Sequence, residues 1–126
     1  MKSIFVSHVF EDNSYLNKML KWQEKGLMDG YLFTYENEDQ RVKGEKEIKD
    51  ILKNKIKGCA ILLVLVGDNT HNHDWIKLEV ELANNFNKKI CCVRIPNSRG
   101  KKPQILNKHK ELAFHSNQIL KELNAK

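Results

Sequence analysis

One carboxylate in this chain stands where a solvated acid would not be expected. The segment DWIKLEVELANNFN, from Asp74 to Asn87, has helical periodicity. On a wheel advancing about 100° per residue from Trp75, the side chains of Trp75, Ile76, Leu78, Val80, Leu82, Ala83 and Phe86 share one arc. Lys77, Glu81, Asn84 and Lys88 lie opposite, and Glu79 falls at roughly 40°, among the apolar set. An ionised carboxylate in such surroundings loses hydration at a large cost unless it is paired or protonated. Glu79 is therefore expected to pair with a buried Lys or Arg, to tilt into solvent at the first turns of the helix, or to face a ligand crevice. The nearby helix amino terminus favours its ionised form and the apolar neighbours oppose it.

Other residue types capable of chemistry are less distinctive. FVSHVFED near the amino terminus brings Ser7, His8 and Phe10 together after a short apolar run. His71 and His73 in GDNTHNHD are two apart in a polar turn with no third ligand in sight, so no metal site is expected. Cys59, Cys91 and Cys92 have no metal-ligand spacing, and neighbours in a strand point to opposite faces, so reduced, buried thiols are expected. No Gly-rich phosphate loop is present; phosphates would be met by amides at helix starts or by lysines.

The elements that position these residues alternate. Lys2 to Ser7 reads as a strand. Tyr15, Leu16, Met19 and Leu20 mark a helix capped at Asp12 or Asn13 and stopped by Gly26. Tyr31 to Tyr35 is a second strand, NEDQRVKG a loop, and Ile48, Ile51, Leu52 and Ile56 mark a second helix closed by Gly58. Cys59 to Val66 is continuously apolar, as a central strand covered on both faces should be. The third helix follows, then a strand from Lys89 to Ile95 ended by Pro96, a loop, and a last helix over Asn117 to Leu123. Leu112 to Phe114 is a candidate fifth, edge strand. This series predicts an α/β flavodoxin-like three-layer sandwich with a central parallel sheet in the order 2-1-3-4. Its ligand crevice would open at the carboxyl ends of strands one and three, between Ser7 to Asp12 and Gly67 to Asp74.

Composition sets the outer bounds. The 126 residues, 40% apolar and 30% charged, describe one soluble domain, residues 1–126. The longest apolar run, Ala60 to Val66, is far short of the roughly 20 residues of a membrane span. MKSIFVSHVFED lacks the apolar core of a secretory signal, so a cytoplasmic protein is expected. Lys and Arg number 22 against 16 Asp and Glu, a net charge of +6. The lysines alternate with acids as on solvated helix faces, and Arg is scarce, so neither nucleic acid nor membrane is an expected partner.

Asp74-Trp75-Ile76-Lys77-Leu78-Glu79 reads D-W-x-x-x-E on the third helix, after the strand AILLVLVGDNT and before a Lys-Lys-led strand. With FVSHVFED at the first strand, it resembles a TIR-type domain. The likeness, over about Ser3 to Pro96, is greatest to the bacterial and archaeal TIR-like branch that contains the Thoeris antiphage signal producer. The resemblance implies a TIR-like fold and an enzyme consuming NAD as substrate, with no prosthetic group and with Glu79 as the essential catalytic carboxylate. It implies that Ser7, His8, Phe10, Asp39 and Trp75 contact substrate, with Phe10 as a stacking surface. The family usually has Ser-Phe or Ser-Tyr where this chain has Ser7-His8. The loop between Asn37 and Gly44, with Asp39 and Arg41, takes the place of the family's loop for NAD covering and homo-oligomeric assembly. A downstream effector would sense the ADP-ribose, cyclic or otherwise modified product.

The rival readings are non-catalytic modules of the same fold. A receiver-like domain would use Asp68 as phosphoacceptor, but Glu11 and Asp12 lie four residues or more beyond the first strand. A TIR-like adaptor would act through the 37–44 loop alone, with no dependence on Glu79.

Overall fold

The computed structural model describes residues 1–36 and 45–125. Its strands are β1 (Lys2–Ser7), β2 (Tyr31–Thr34), β3 (Ile61–Val66), β4 (Lys89–Arg94) and β5 (Glu111–Ala113); its helices are α1 (Asn13–Glu24), α2 (Glu45–Gly58), α3 (Asp74–Asn85) and α4 (Ser116–Asn124). The strands form one parallel sheet in the order β2-β1-β3-β4-β5. The expected order is observed, and the fifth edge strand exists, one residue earlier than the sequence placed it. The loop carrying Asp39 and Arg41 lies outside the described residues.

Strand alternation divides the core into two layers. Ile4, Val6, Leu63, Leu65 and Cys91 point to the face covered by α1 and α4, where Leu16, Met19, Ile119 and Leu123 meet them. Phe5, Leu62, Val64, Val66 and Cys92 point to the other face, under Leu52 and Ile56 of α2 and Ile76, Val80 and Ala83 of α3. All six β3 residues are buried, which explains their unbroken apolar character. Cys91 and Cys92 fall on opposite faces, and all three cysteines are buried free thiols.

Helix ends follow local chemistry. At Gly26, with φ 76°, the Leu27 amide donates to Trp22 O at 2.9 Å, closing α1 where the sequence placed its stop. Asn87, with φ 56°, does the same for α3: the Lys88 amide donates to Ala83 O at 2.9 Å. The helix therefore ends two residues earlier than the apolar periodicity suggested. Asp12 occupies the cap position of α1 but makes no side-chain capping bond, because its carboxyl is turned toward β3. Among the described residues no helix is long and apolar enough to cross a membrane.

Candidate functional site

The strand order reverses between β1 and β3, so the crevice position of this fold lies at their carboxyl ends. Ser7 is the last residue of β1, paired in register with Val64. Alternation gives it the same face as Phe5, the face that α3 covers. Glu79 comes down onto that face from α3. It is 0% exposed, so it does not tilt into solvent, and the Ser7 hydroxyl donates to its Oε1 at 3.1 Å. The most buried α3 residues are Ile76, Glu79, Val80 and Ala83, while Trp75, Leu78, Leu82 and Phe86 are only partly buried. Glu79 is thus part of the inward stripe, and a donor supplied by β1 offsets some of its lost hydration.

The residues next to this pair in the chain differ in exposure. His8 is 4% exposed, with Nε2 3.2 Å from Asn13 Oδ1 at the start of α1. Phe10 is 59% exposed on the short 3-10 turn Phe10–Asp12, so it is a surface ring and not a core residue. Trp75 is half-buried against the α2/α3 layer, and its ring lies 4.9 Å from that of His73. The structure therefore brings Ser7 and Glu79 together at the end of β1, while His8 turns to Asn13 at the start of α1, Phe10 lies at the surface, and Trp75 is one turn before Glu79 on α3. Asp39 lies outside the described residues. His71 and His73 belong to no group of three metal-binding side chains among the described residues.

Four features were not evident from the sequence. Asp12 is 8% exposed, with Oδ2 lacking a hydrogen-bond partner, and its carboxyl packs on Gly67, the residue after β3. Burial pushes that carboxyl up to about 6, with like charge on Glu11 and Asp68 adding to the effect. The loop after β4 also crosses the loop after β3: the Arg99 amide donates to Asp68 Oδ1 at 2.7 Å, and Arg94 donates to Gly100 O at 2.7 Å. The Gly67 amide donates to Thr70 Oγ1 at 2.8 Å, and that hydroxyl donates to Leu65 O at 3.1 Å. At the end of β2, Glu36 is 3% exposed and lies 2.8 Å from the Lys55 ammonium on α2. The only advance signal for any of these was a glycine at a strand end, Gly67, where backbone and side chain approach closely.

The arrangement offers one water-excluded carboxylate on α3, fixed by a hydroxyl donor at the end of β1. Such a group suits stabilising positive charge that develops on a substrate.

The family model for the Thoeris protein ThsB, TIR-like domain, matches residues 5–100. No curated protein matches the sequence. Among solved structures, a CMP N-glycosidase from Clostridium botulinum, BcmB, superposes with a TM-score of 0.57 at 14% identity, covering 98% of this chain and 100% of that one. A 2-desoxiribosyltransferase from Leishmania mexicana gives a TM-score of 0.53 at 13% identity over 75% of this chain. This chain covers 65% of that enzyme, slightly under two thirds of its length. At these identities the likeness concerns the fold.

Proposed function

Because the chain belongs to the Thoeris ThsB TIR-like domain family, we propose that it is an enzyme that cleaves the nicotinamide–ribose N-glycosidic bond of NAD. The observation that carries this reading is the buried Ser7–Glu79 pair at the carboxyl end of β1. The names of the two structural neighbours, an N-glycosidase and a desoxiribosyltransferase, support glycosidic-bond chemistry on this fold.

Nicotinamide in NAD is already a cationic leaving group, so its departure needs no general acid, unlike an ordinary glycoside with its two carboxylates. One carboxylate is sufficient. Glu79 would hold the ribose diol and stabilise the oxocarbenium-like transition state, and the low-dielectric surroundings strengthen that interaction. Ser7 holds the carboxylate in orientation. Phe10, exposed beside the crevice, provides a ring for stacking. Glu79 is fully covered, so substrate entry requires a rearrangement that exposes it. The acceptor then decides the product: water gives ADP-ribose, whereas an intramolecular nitrogen or hydroxyl gives a cyclic isomer. In this reading the product is a signal for a downstream effector in antiphage defence, and assembly through residues 37–44 controls the activity.

The test is nicotinamide release from NAD by wild-type and Glu79→Gln protein expressed in cells undergoing phage infection, where the trigger is supplied. Release by the wild type and at least a hundredfold loss in the variant is expected. Equal release by both would remove Glu79 from the chemistry.

A further inference from the structure

Apart from the buried Ser7–Glu79 pair, the carboxyl edge of the sheet carries an open concavity. Toward β4, a cavity of about 370 Å³ opens between the 3-10 turn Thr70–Asn72, the first turns of α3 and the 3-10 turn Gln104–Leu106. None of Ser7, His8, Phe10 or Glu79 lines it. Lys77, which does, lies about 160° around α3 from Glu79. Ile76, which also lines the cavity, belongs to the inward stripe that carries Glu79, so the cavity draws on both faces of the first turns of α3.

Both walls are fixed. On one side Thr70 is 1% exposed and its hydroxyl bridges Gly67 and Leu65. On the other, Leu106 is 0% exposed and its amide donates to Pro103 O at 2.8 Å. The backbone of both turns is thereby held, while the exposed side chains of His71, Lys77 and Gln104 would be ordered on binding.

The lining selects the sign of the ligand. Lys77, His71 and His73 face the cavity, and no carboxylate lines it. Lys77 is exposed and makes no ion pair among the described residues. Ile76, 1% exposed, and Ile105 add an apolar wall, and the Gln104 carboxamide brings one donor and one acceptor group to the rim. The volume is at the small end for an organic ligand, and it accommodates a ring and one phosphate.

We propose that this cavity is a second ligand site, which takes a nucleoside monophosphate. The phosphate sits on the Lys77 ammonium between His71 and His73. The base lies against Ile76 and Ile105, with its edge on Gln104. The site does not depend on the Glu79 chemistry, and a ligand here would act on the start of the helix that carries Glu79.

The experiment is an amide chemical-shift titration of the full chain with adenosine 5′-monophosphate, adenosine and inorganic phosphate in parallel. Adenosine 5′-monophosphate should give saturable shifts at Thr70 to Lys77 and at Gln104 to Leu106, with adenosine and phosphate each at least about tenfold weaker. Lys77→Glu should weaken the nucleotide about tenfold or more, since it replaces a charge-assisted contact with repulsion. Gln104→Leu, at an exposed position, gives a second arm and should weaken adenosine 5′-monophosphate but not phosphate. Shifts confined to Ser7 to Asn13, no saturable shift at millimolar nucleotide, equal binding of phosphate alone, or an unchanged Lys77→Glu affinity would each overturn the assignment. Because the readout is binding, the outcome is separate from whether NAD is cleaved.

Discussion

The hydroxyl of Ser7 and the carboxylate of Glu79, 72 residues apart in the chain, meet at 3.1 Å under α3. The contact joins the last residue of an inner strand to the one acid in an apolar helical stripe. Replacing Ser7 with Ala removes a donor from a fully buried carboxylate and should lower stability by about 1–2 kcal/mol. Urea denaturation of Ser7→Ala would measure it. The same variant should slow nicotinamide release if Glu79 must be held in orientation. A variant as stable and as active as the wild type would show that the bond does neither.

Asp12 should make the protein less stable as pH rises through about 6. Its folded-state pKa is raised above the ordinary 3.8, so the folded state binds the proton more tightly than the unfolded chain. Stability from this group is therefore highest below about pH 4 and falls as pH rises through the folded value. Asp12→Asn should be more stable than wild type at pH 7.5 by about 1–2 kcal/mol and nearly equal to it at pH 4. A constant difference across that range, in paired denaturation curves, would contradict this assignment.

Gly100 and Gly67 should differ sharply in their tolerance of alanine. A β-carbon at Gly100 would collide with the carbonyl oxygens of Gly67 and Asp68, which are backbone atoms held by the crossing loops. A β-carbon at Gly67 would instead meet the Asp12 carboxyl, at 2.5 Å from Oδ2, and a side chain can rotate away. Gly100→Ala should cost more than about 2 kcal/mol and Gly67→Ala less. Thermal melts of the two variants would rank them, and the reverse order would refute the account.

The three thiols should be inert in the folded protein. Burial pushes Cys91 up to about 12 and Cys92 up to about 11, and it raises Cys59 as well. The thiolate is the reactive form. An aromatic disulfide reagent at pH 7.5 should therefore label no cysteine quickly in the native state and all three after unfolding. Rapid native labelling of even one would show an opening that exposes the core.

The local order of this fold was readable because side-chain periodicity reports backbone geometry. The unbroken ILLVLV run marked the central strand, and Gly26 marked the end of α1 through its left-handed backbone. The same periodicity singled out Glu79, since one acid among apolar residues on a 3.6-residue wheel stands out without any tertiary information. Even the arrangement of β1 and β3 around a crevice followed from the right-handed crossovers of a parallel sheet.

Which groups meet in that crevice was decided only when the layers closed. Ser7 could be placed at a strand end, but its contact with Glu79 depends on how α3 lies over β1, and no local pattern encodes that. Asp12 read as an ordinary helix cap, yet it packs against Gly67 because the α1 entry and the β3 exit approach within side-chain distance. His71, His73 and Lys77 read as solvated polar residues until the loop after β4 set Ile105 and Gln104 opposite them and made a wall. Periodicity determined which face each residue presents; the meeting of faces distant in sequence depends on the packing of whole elements, a property the tertiary structure alone supplies.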